Sequence, residues 1–286
     1  MAKRQPPSIK RPTLEYFAYR GPNRVAIGDL APAGMPGLIF APTSGRRCPI
    51  VAFGHGWLQS ADRYSDTMRY LASWGIIVVA PNTYRSLFSS QQGLGLDLSR
   101  ALRMVAYGEL GAGRVRGDLR RMGVIGHSTG GGAAALAAAR DDQIKAVVTV
   151  TAAETAPSAV EAAGRVEAPS LHLIGSKDDW AESDGAKIAR SWGGPAQLRM
   201  VKGAGHLGLA EGKSFVNGII GADSDKRVQQ VTRILASAFF IRHLTDADQL
   251  ADEMENKVRG TTIEDLQDPD LDGPLDLSDV AATAMI

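Results

Sequence analysis

The residues that could do chemistry in this sequence are a serine between glycines, a pair of aspartates and a glycine-flanked histidine. Ser128 lies in Gly-His-Ser-Thr-Gly at residues 126–130, between a short apolar run and an alanine-rich stretch. A serine hydroxyl is a weak nucleophile unless a base removes its proton during attack. The Gly-x-Ser-x-Gly pattern holds a nucleophilic serine on a sharp strand-to-helix turn. The same residues could form a plain turn in which Ser128 caps the helix, so the base and the acid must decide.

The base is expected downstream of both the serine and the acid. Of the histidines after Ser128, His172 lies within an apolar run and His243 closes a helical stretch, where a positive imidazole would interact favourably with the helix dipole. Both are therefore interpreted as structural. His206 lies in Gly-Ala-Gly-His-Leu-Gly at residues 203–208, after a predicted strand. We predict that His206 takes the Ser128 proton and returns it to the leaving group.

The acid must orient this imidazole from a loop at the C-terminal end of a strand. Asp178 fits in Gly-Ser-Lys-Asp-Asp-Trp at residues 175–180. Asp179 is the nearest alternative, although it could equally cap the helix that begins near Ala181. Glu154, which follows the preceding predicted strand, is a weaker alternative.

Acyl transfer places negative charge on a carbonyl oxygen, which backbone N–H groups must stabilise. The expected donors are the N–H of Thr129, directly after the nucleophile, and the N–H of Trp57 in Gly-His-Gly-Trp at residues 54–57. His55 has no neighbouring histidine, cysteine or carboxylate at ligand spacing, so it is expected to hold this loop and not a metal ion.

Large apolar side chains fall on loops at the same predicted edge and could line an acyl pocket, although each is equally compatible with simple packing. They are Trp57, Tyr84, Phe88, Trp180 and Leu207. Two glycine patterns are incomplete: residues 208–214 have one residue too few for a phosphate loop, and residues 93–95 lack the third glycine of a dinucleotide site. We therefore expect no cofactor.

Short apolar runs alternate with longer helical patterns along the chain, which predicts an α/β fold. The middle runs are apolar without alternation, as in strands buried on both faces of a parallel sheet, whereas residues 13–19 resemble an edge strand. The sequence predicts a mostly parallel sheet of about eight strands flanked by helices, the last helix being residues 226–243. The predicted strands are residues 13–19, 37–41, 50–53, 76–80, 123–126, 146–151, 170–174 and 197–201.

The charge distribution divides the chain. Its net charge is only +1, which indicates neither a nucleic-acid nor an anionic-membrane partner. Residues 246–286 contain 12 acidic residues against Lys257 and Arg259, a net charge of −10. We therefore expect an N-terminal extension at 1–12, a catalytic domain at 13–245 and a solvated acidic tail at 246–286. A chain cut near Thr245 is expected to fold.

Cellular context follows from the N-terminus and the cysteine content. Cys48 is the single cysteine, so no intramolecular disulfide can form. Lys3 and Arg4 are not followed by the apolar stretch of about 7 to 15 residues that a signal peptide needs. No apolar run approaches the ~20 residues that span a bilayer. These features predict a cytoplasmic protein.

Together these motifs resemble the dienelactone-hydrolase-like branch of the α/β-hydrolases, especially bacterial cutinases, polyester hydrolases and their chlorophyllase-like relatives. The resemblance covers about residues 13–243 and rests on the loops at residues 55–57, 126–132, 175–178 and 203–206. It implies an α/β-hydrolase fold and a cofactor-independent serine esterase acting through an acyl-enzyme. Ser128 argues against the cysteine-dependent dienelactone hydrolases.

The resemblance leaves the substrate open. Secreted polyester hydrolases of that group commonly carry a signal peptide and a C-terminal disulfide. Neither feature is expected for this sequence, which favours a carboxylic-ester hydrolase acting on small to medium acyl esters. A thioesterase or acyltransferase with the same triad remains an alternative. A non-catalytic binding or scaffold protein of the same fold is the rival from another class.

Overall fold

The computed structural model describes residues 13–181, 184–212, 224–245, 247, 250, 252–256 and 258–268. Within these residues the chain forms one mixed sheet of nine strands in the order β1-β2-β4-β3-β5-β6-β7-β8-β9. The strands are β1 (Val25–Asp29), β2 (Gly37–Pro42), β3 (Gly45–Gly54), β4 (Ile77–Pro81), β5 (Val115–His127), β6 (Ile144–Val150), β7 (Ser170–Gly175), β8 (Ala196–Val201) and β9 (Thr261–Glu264).

Six adjacent strands, from β4 through β3, β5, β6 and β7 to β8, run parallel. The pairs β1–β2, β2–β4 and β8–β9 are antiparallel. The predicted α/β-hydrolase architecture, a mostly parallel sheet with helices on its faces, is confirmed. The helices are α1 (Ser65–Ser73), α2 (Gln91–Tyr107), α3 (Thr129–Ala138), α4 (Ala159–Ala163), α5 (Asp184–Arg190) and α6 (Lys226–Leu244).

Two apolar cores lie on opposite faces of the sheet. Helices α1 and α6 cover one core, whereas α2, α3 and α4 cover the other. Along β3, Val51 and Phe53 enter the first core, and Ile50 and Ala52 enter the second. Successive strand side chains point to opposite faces, so a strand covered on both sides must be apolar throughout. This explains the absence of alternation in the central runs.

The N-terminal strand prediction was wrong. Residues 13–19 contain a short 3-10 helix, Tyr16–Ala18, instead of an edge strand. Leu14 and Phe17 are both buried, and a spacing of three residues places them on one side of a helical turn. Phe17 packs on Trp74, with ring centroids 4.5 Å apart. The strand at this edge of the sheet is instead β1, which the sequence did not reveal because most of its side chains are exposed.

The described part of the predicted acidic tail packs on the body, which differs from the solvated extension that we expected. Strand β9 pairs with β8 at the edge of the sheet, and Leu250 and Met254 are buried in the core beside α6. The side chain of Arg199, on β8, is fully buried and donates hydrogen bonds to the carbonyls of Met254 and Asn256. The count of acidic residues did not predict this packing, because it does not register apolar residues such as Leu250 and Met254.

Candidate functional site

Ser128 lies on a strained turn between β5 and α3. Its φ of 56° and ψ of −128° are unusual for a non-glycine residue. The turn is possible because the flanking backbone is close: a Cβ at Gly126 would lie 2.0 Å from the Gly130 carbonyl oxygen, and one at Gly130 would lie 2.3 Å from that of Gly54. The Ser128 N–H donates to the Val150 carbonyl at 3.0 Å, which anchors the turn to β6.

The structure brings Ser128, His206 and Asp178 together. The Ser128 Oγ lies 2.7 Å from His206 Nε2, and His206 Nδ1 lies 2.9 and 3.0 Å from the two Asp178 oxygens. All three residues are buried, none being more than 7% exposed. They follow the C-terminal ends of β5, β7 and β8, the edge at which the carboxyl ends of parallel strands meet. A hydroxyl, an imidazole and a carboxylate hydrogen-bonded in this order can generate a serine nucleophile.

The alternative acids occupy other positions. Asp179 is exposed, whereas Asp178 is buried and accepts hydrogen bonds from the Trp180 and Ala181 N–H groups as well as contacting His206. The Glu154 carboxylate accepts from the Ala159 N–H at 2.5 Å and so caps helix α4. Of the three candidates, Asp178 alone contacts the imidazole among the described residues.

The His206 loop is held by its backbone. The His206 carbonyl accepts hydrogen bonds from His127 Nε2 at 2.7 Å and from Thr151 Oγ1 at 3.1 Å. The turn that follows β8 requires a positive φ of 71° at Gly203, a conformation that glycine adopts without strain. The His206 backbone is therefore fixed by contacts made outside the imidazole ring.

The other downstream histidines are part of the packing. His172 is hydrogen-bonded through its two nitrogens to Thr149 Oγ1 and Ser170 Oγ, and burial lowers its pKa to about 3. His243 packs on Phe239 with ring centroids 4.5 Å apart. Burial, followed by the nearby Arg242 charge, lowers the His243 pKa to about 4. Burial therefore favours the neutral form of His243, in contrast to the positive imidazole expected at the helix end.

The loop after β3 carries one of the expected oxyanion donors. The Gly56 carbonyl accepts from the Gln59 N–H at 3.0 Å and lies 2.9 Å from His55 Nδ1. Because a trans peptide directs its C=O and N–H to opposite sides, fixing this carbonyl also fixes the Trp57 N–H. His55 Nε2 lies 2.7 Å from the Thr83 carbonyl, and burial lowers the His55 pKa. His55 therefore holds the loop, as the sequence indicated.

The second expected donor lies at the start of α3. The first N–H groups of a helix have no acceptor within it, and Thr129 is the first residue of α3. Trp57 and Thr129 line the same small pocket, together with Tyr84. The two residues expected to supply the oxyanion donors thus border one pocket.

The remaining pocket candidates divide into three environments. The Trp180 ring stacks loosely on Trp57, at 6.2 Å, and lies 4.9 Å from the His206 ring. Leu207 is buried, whereas Phe88 is 98% exposed. The Phe88 side chain therefore faces solvent and does not pack beside the other pocket candidates.

Tyr64 is a site neighbour that sequence reasoning missed. Its hydroxyl lies 2.8 Å from His127 Nδ1 and accepts from the Gly56 N–H at 3.2 Å. Tyr64 ends a 3-10 helix that precedes α1, far from Ser128 in sequence. A buried tyrosine at a helix start gives no pattern that distinguishes it from an ordinary core residue.

Comparison with known proteins agrees with this fold. A family model described as Chlorophyllase matches residues 24–155. Chlorophyllase type 0 of Chenopodium album is 35% identical over 125 residues, which cover 41% of this chain and 36% of that protein. Lipase 1 of Moraxella sp. (strain TA144) is 29% identical over 151 residues, covering 50% and 43%. The alignments thus span less than half of the length of either relative.

The protein has an α/β-hydrolase fold. Its expected resemblance to the chlorophyllase-like serine esterases is confirmed by the family match and by both relatives. None of the helices in the described part of the chain is long and apolar enough to cross a bilayer.

Proposed function

We propose that this protein hydrolyses carboxylic esters through a Ser128–His206–Asp178 triad and an acyl-enzyme. The observation that carries the proposal is the continuous contact from Ser128 Oγ through both His206 nitrogens to the Asp178 carboxylate. Similarity to a chlorophyllase and a lipase supports an ester as the substrate.

In the proposed reaction Ser128 Oγ attacks the ester carbonyl carbon while His206 Nε2 accepts its proton. Asp178 holds His206 in the tautomer with hydrogen on Nδ1 and stabilises the imidazolium that forms. The Trp57 and Thr129 N–H groups bind the oxyanion, each contributing about 2.7 to 4 kcal/mol to transition-state stabilisation. His206 then protonates the leaving alkoxide. In the second step His206 takes a proton from water, which attacks the acyl-enzyme, and the proton returns to Ser128 as the acid is released.

The pocket that Trp57 and Thr129 line is small, which favours a short acyl group over a long one. It lies between the oxyanion loop and the start of α2 and is bordered by Trp57, Tyr84 and Leu94. These side chains offer mainly apolar surface to an acyl chain.

Labelling with a fluorophosphonate probe tests the nucleophile. The folded protein is expected to be labelled once, at Ser128, and Ser128→Ala to be unlabelled and to lose at least about 10⁴-fold in kcat. Unchanged labelling of Ser128→Ala, or an unlabelled folded protein, would exclude the triad.

A series of p-nitrophenyl esters from acetate to laurate tests the substrate class. We expect kcat/KM to peak at the shorter acyl chains. A maximum at laurate would contradict the proposed acyl size, and hydrolysis of acyl thioesters in clear preference to matched oxygen esters would contradict the proposed leaving group.

A further inference from the structure

A buried hydrogen-bond chain joins the oxyanion loop to the loop that carries His206. The Tyr64 hydroxyl accepts from the Gly56 N–H at 3.2 Å and lies 2.8 Å from His127 Nδ1. His127 Nε2 in turn lies 2.7 Å from the His206 carbonyl oxygen. Both Tyr64 and His127 are fully buried, so water does not compete for these contacts.

The two ends of the chain determine the direction of every hydrogen bond. The Gly56 N–H can only donate and the His206 carbonyl can only accept. His127 must therefore carry its hydrogen on Nε2, and the Tyr64 hydroxyl must donate to Nδ1. This requires a neutral imidazole, and burial, reinforced by the nearby His206 charge, lowers the His127 pKa to about 3. Each donor in the chain has one acceptor.

The hydrogen bonds of Tyr64 and His127 go to each other and to backbone atoms, not to the side chains of Ser128, His206 or Asp178. The Tyr64 ring packs between Phe53, at 4.7 Å, and His127, at 5.6 Å, and the His127 ring lies 5.5 Å from that of His206. The Tyr64 pKa is raised by burial, so its hydroxyl stays protonated. The chain therefore acts through the backbone that it holds.

We propose that Tyr64 and His127 are positioning residues that hold the oxyanion loop and the His206 loop in the relative position that catalysis requires. This inference rests on the proposed function. Gly56 immediately precedes the donor Trp57, and the His206 carbonyl belongs to the residue that moves the proton. A misplacement of 1 Å at a catalytic group can reduce the rate by about 10², so a rigid link between these two loops has a direct effect on kcat.

The test compares Tyr64→Phe with Tyr70→Phe. Tyr70 is a buried tyrosine of α1 whose hydroxyl lies 2.5 and 2.6 Å from the Phe17 and Tyr19 carbonyls, away from the site. Each substitution removes one buried hydroxyl and destabilises the fold by a similar amount. Only Tyr64→Phe is expected to reduce kcat on a p-nitrophenyl ester, by about tenfold, which corresponds to about 1.4 kcal/mol.

The Michaelis constant separates positioning from general damage. Because the proposed role is to position two loops and not to bind substrate, KM should stay within about twofold while kcat falls. The rate of fluorophosphonate labelling should fall together with kcat. A Tyr64→Phe variant with wild-type kcat, or equal losses in the two tyrosine variants, would overturn the proposal.

A pair of His127 variants keeps the proposal testable if Tyr64→Phe does not fold. His127→Gln retains one acceptor for Tyr64 and one donor for the His206 carbonyl, whereas His127→Leu retains neither. We expect His127→Gln to keep at least tenfold more of the wild-type kcat than His127→Leu. Equal losses would show that the hydrogen bonds do not matter and would refute the inference.

The failure of this inference is distinct from failure of the proposed function. If the wild-type protein neither hydrolyses esters nor reacts with the probe, the proposed function fails. If the wild type is active and Tyr64→Phe matches it, only the positioning role fails.

Discussion

At the scale of single residues, Asp178 and Asp179 are neighbours in the sequence but lie in different environments. Both follow β7, but Asp178 is buried against the His206 imidazole and Asp179 faces solvent. Backbone N–H groups of Trp180 and Ala181 hold one Asp178 oxygen. The carboxylate is therefore restrained from the loop side as well as by the imidazole.

Replacing Asp178 with asparagine should reduce kcat by about 10³- to 10⁴-fold, because an amide can no longer hold His206 in the required tautomer. Asp179→Asn is the matched control and should keep kcat within about twofold. Hydrolysis of a p-nitrophenyl ester at pH 7.5 measures both. An inactive Asp179→Asn with an active Asp178→Asn would reverse the assignment.

At the scale of secondary-structure elements, the site depends on the close approach of the β5–α3 turn to the end of β3. Ser128 keeps its strained, positive-φ backbone because the flanking segments are packed too closely for the turn to relax. Gly130 is the contact point, since its Cα faces the Gly54 and His55 carbonyls. The nucleophile turn and the oxyanion loop are thus packed backbone to backbone.

Gly130→Ala should destabilise the fold by at least about 3 kcal/mol, because its Cβ would overlap backbone atoms that cannot move independently. Gly164→Ala is the control: Gly164 follows α4 with φ of −62°, and its nearest neighbouring atom would lie 3.4 Å from the new Cβ. Urea unfolding measures both changes. A Gly130→Ala protein as stable as Gly164→Ala would contradict the packing described here.

At the scale of the whole molecule, the segment after α6 completes both the sheet and one core. Met254 fills the core, Arg199 binds the carbonyls of this segment, and β9 covers the edge of β8. Burial lowers the Arg199 pKa, and the nearby Glu255 charge acts in the opposite direction. A buried guanidinium without its acceptors is strongly destabilising, so β8 depends on the segment that follows it.

Truncation after Thr245 should therefore yield insoluble or poorly stable protein, because it exposes the β8 edge and leaves Arg199 without the carbonyls of Met254 and Asn256. Truncation after Asp268 keeps every described residue and should match the full chain. Soluble yield and thermal unfolding midpoints measure both. A stable, soluble protein ending at Thr245 would restore the simpler division into a domain and an acidic tail.

The motif order in the sequence was sufficient to predict the α/β-hydrolase fold and to propose Ser128 and His206, with Asp178 or Asp179, as a triad, because strand ends, glycine turns and catalytic residue types are local features of the chain. The choice between Asp178 and Asp179 required the tertiary structure, since burial depends on which side of a loop meets the His206 ring. The Tyr64–His127 link and the docking of β9 also required it. Both depend on contacts between residues far apart in the chain, and such contacts leave no periodicity or spacing in the sequence.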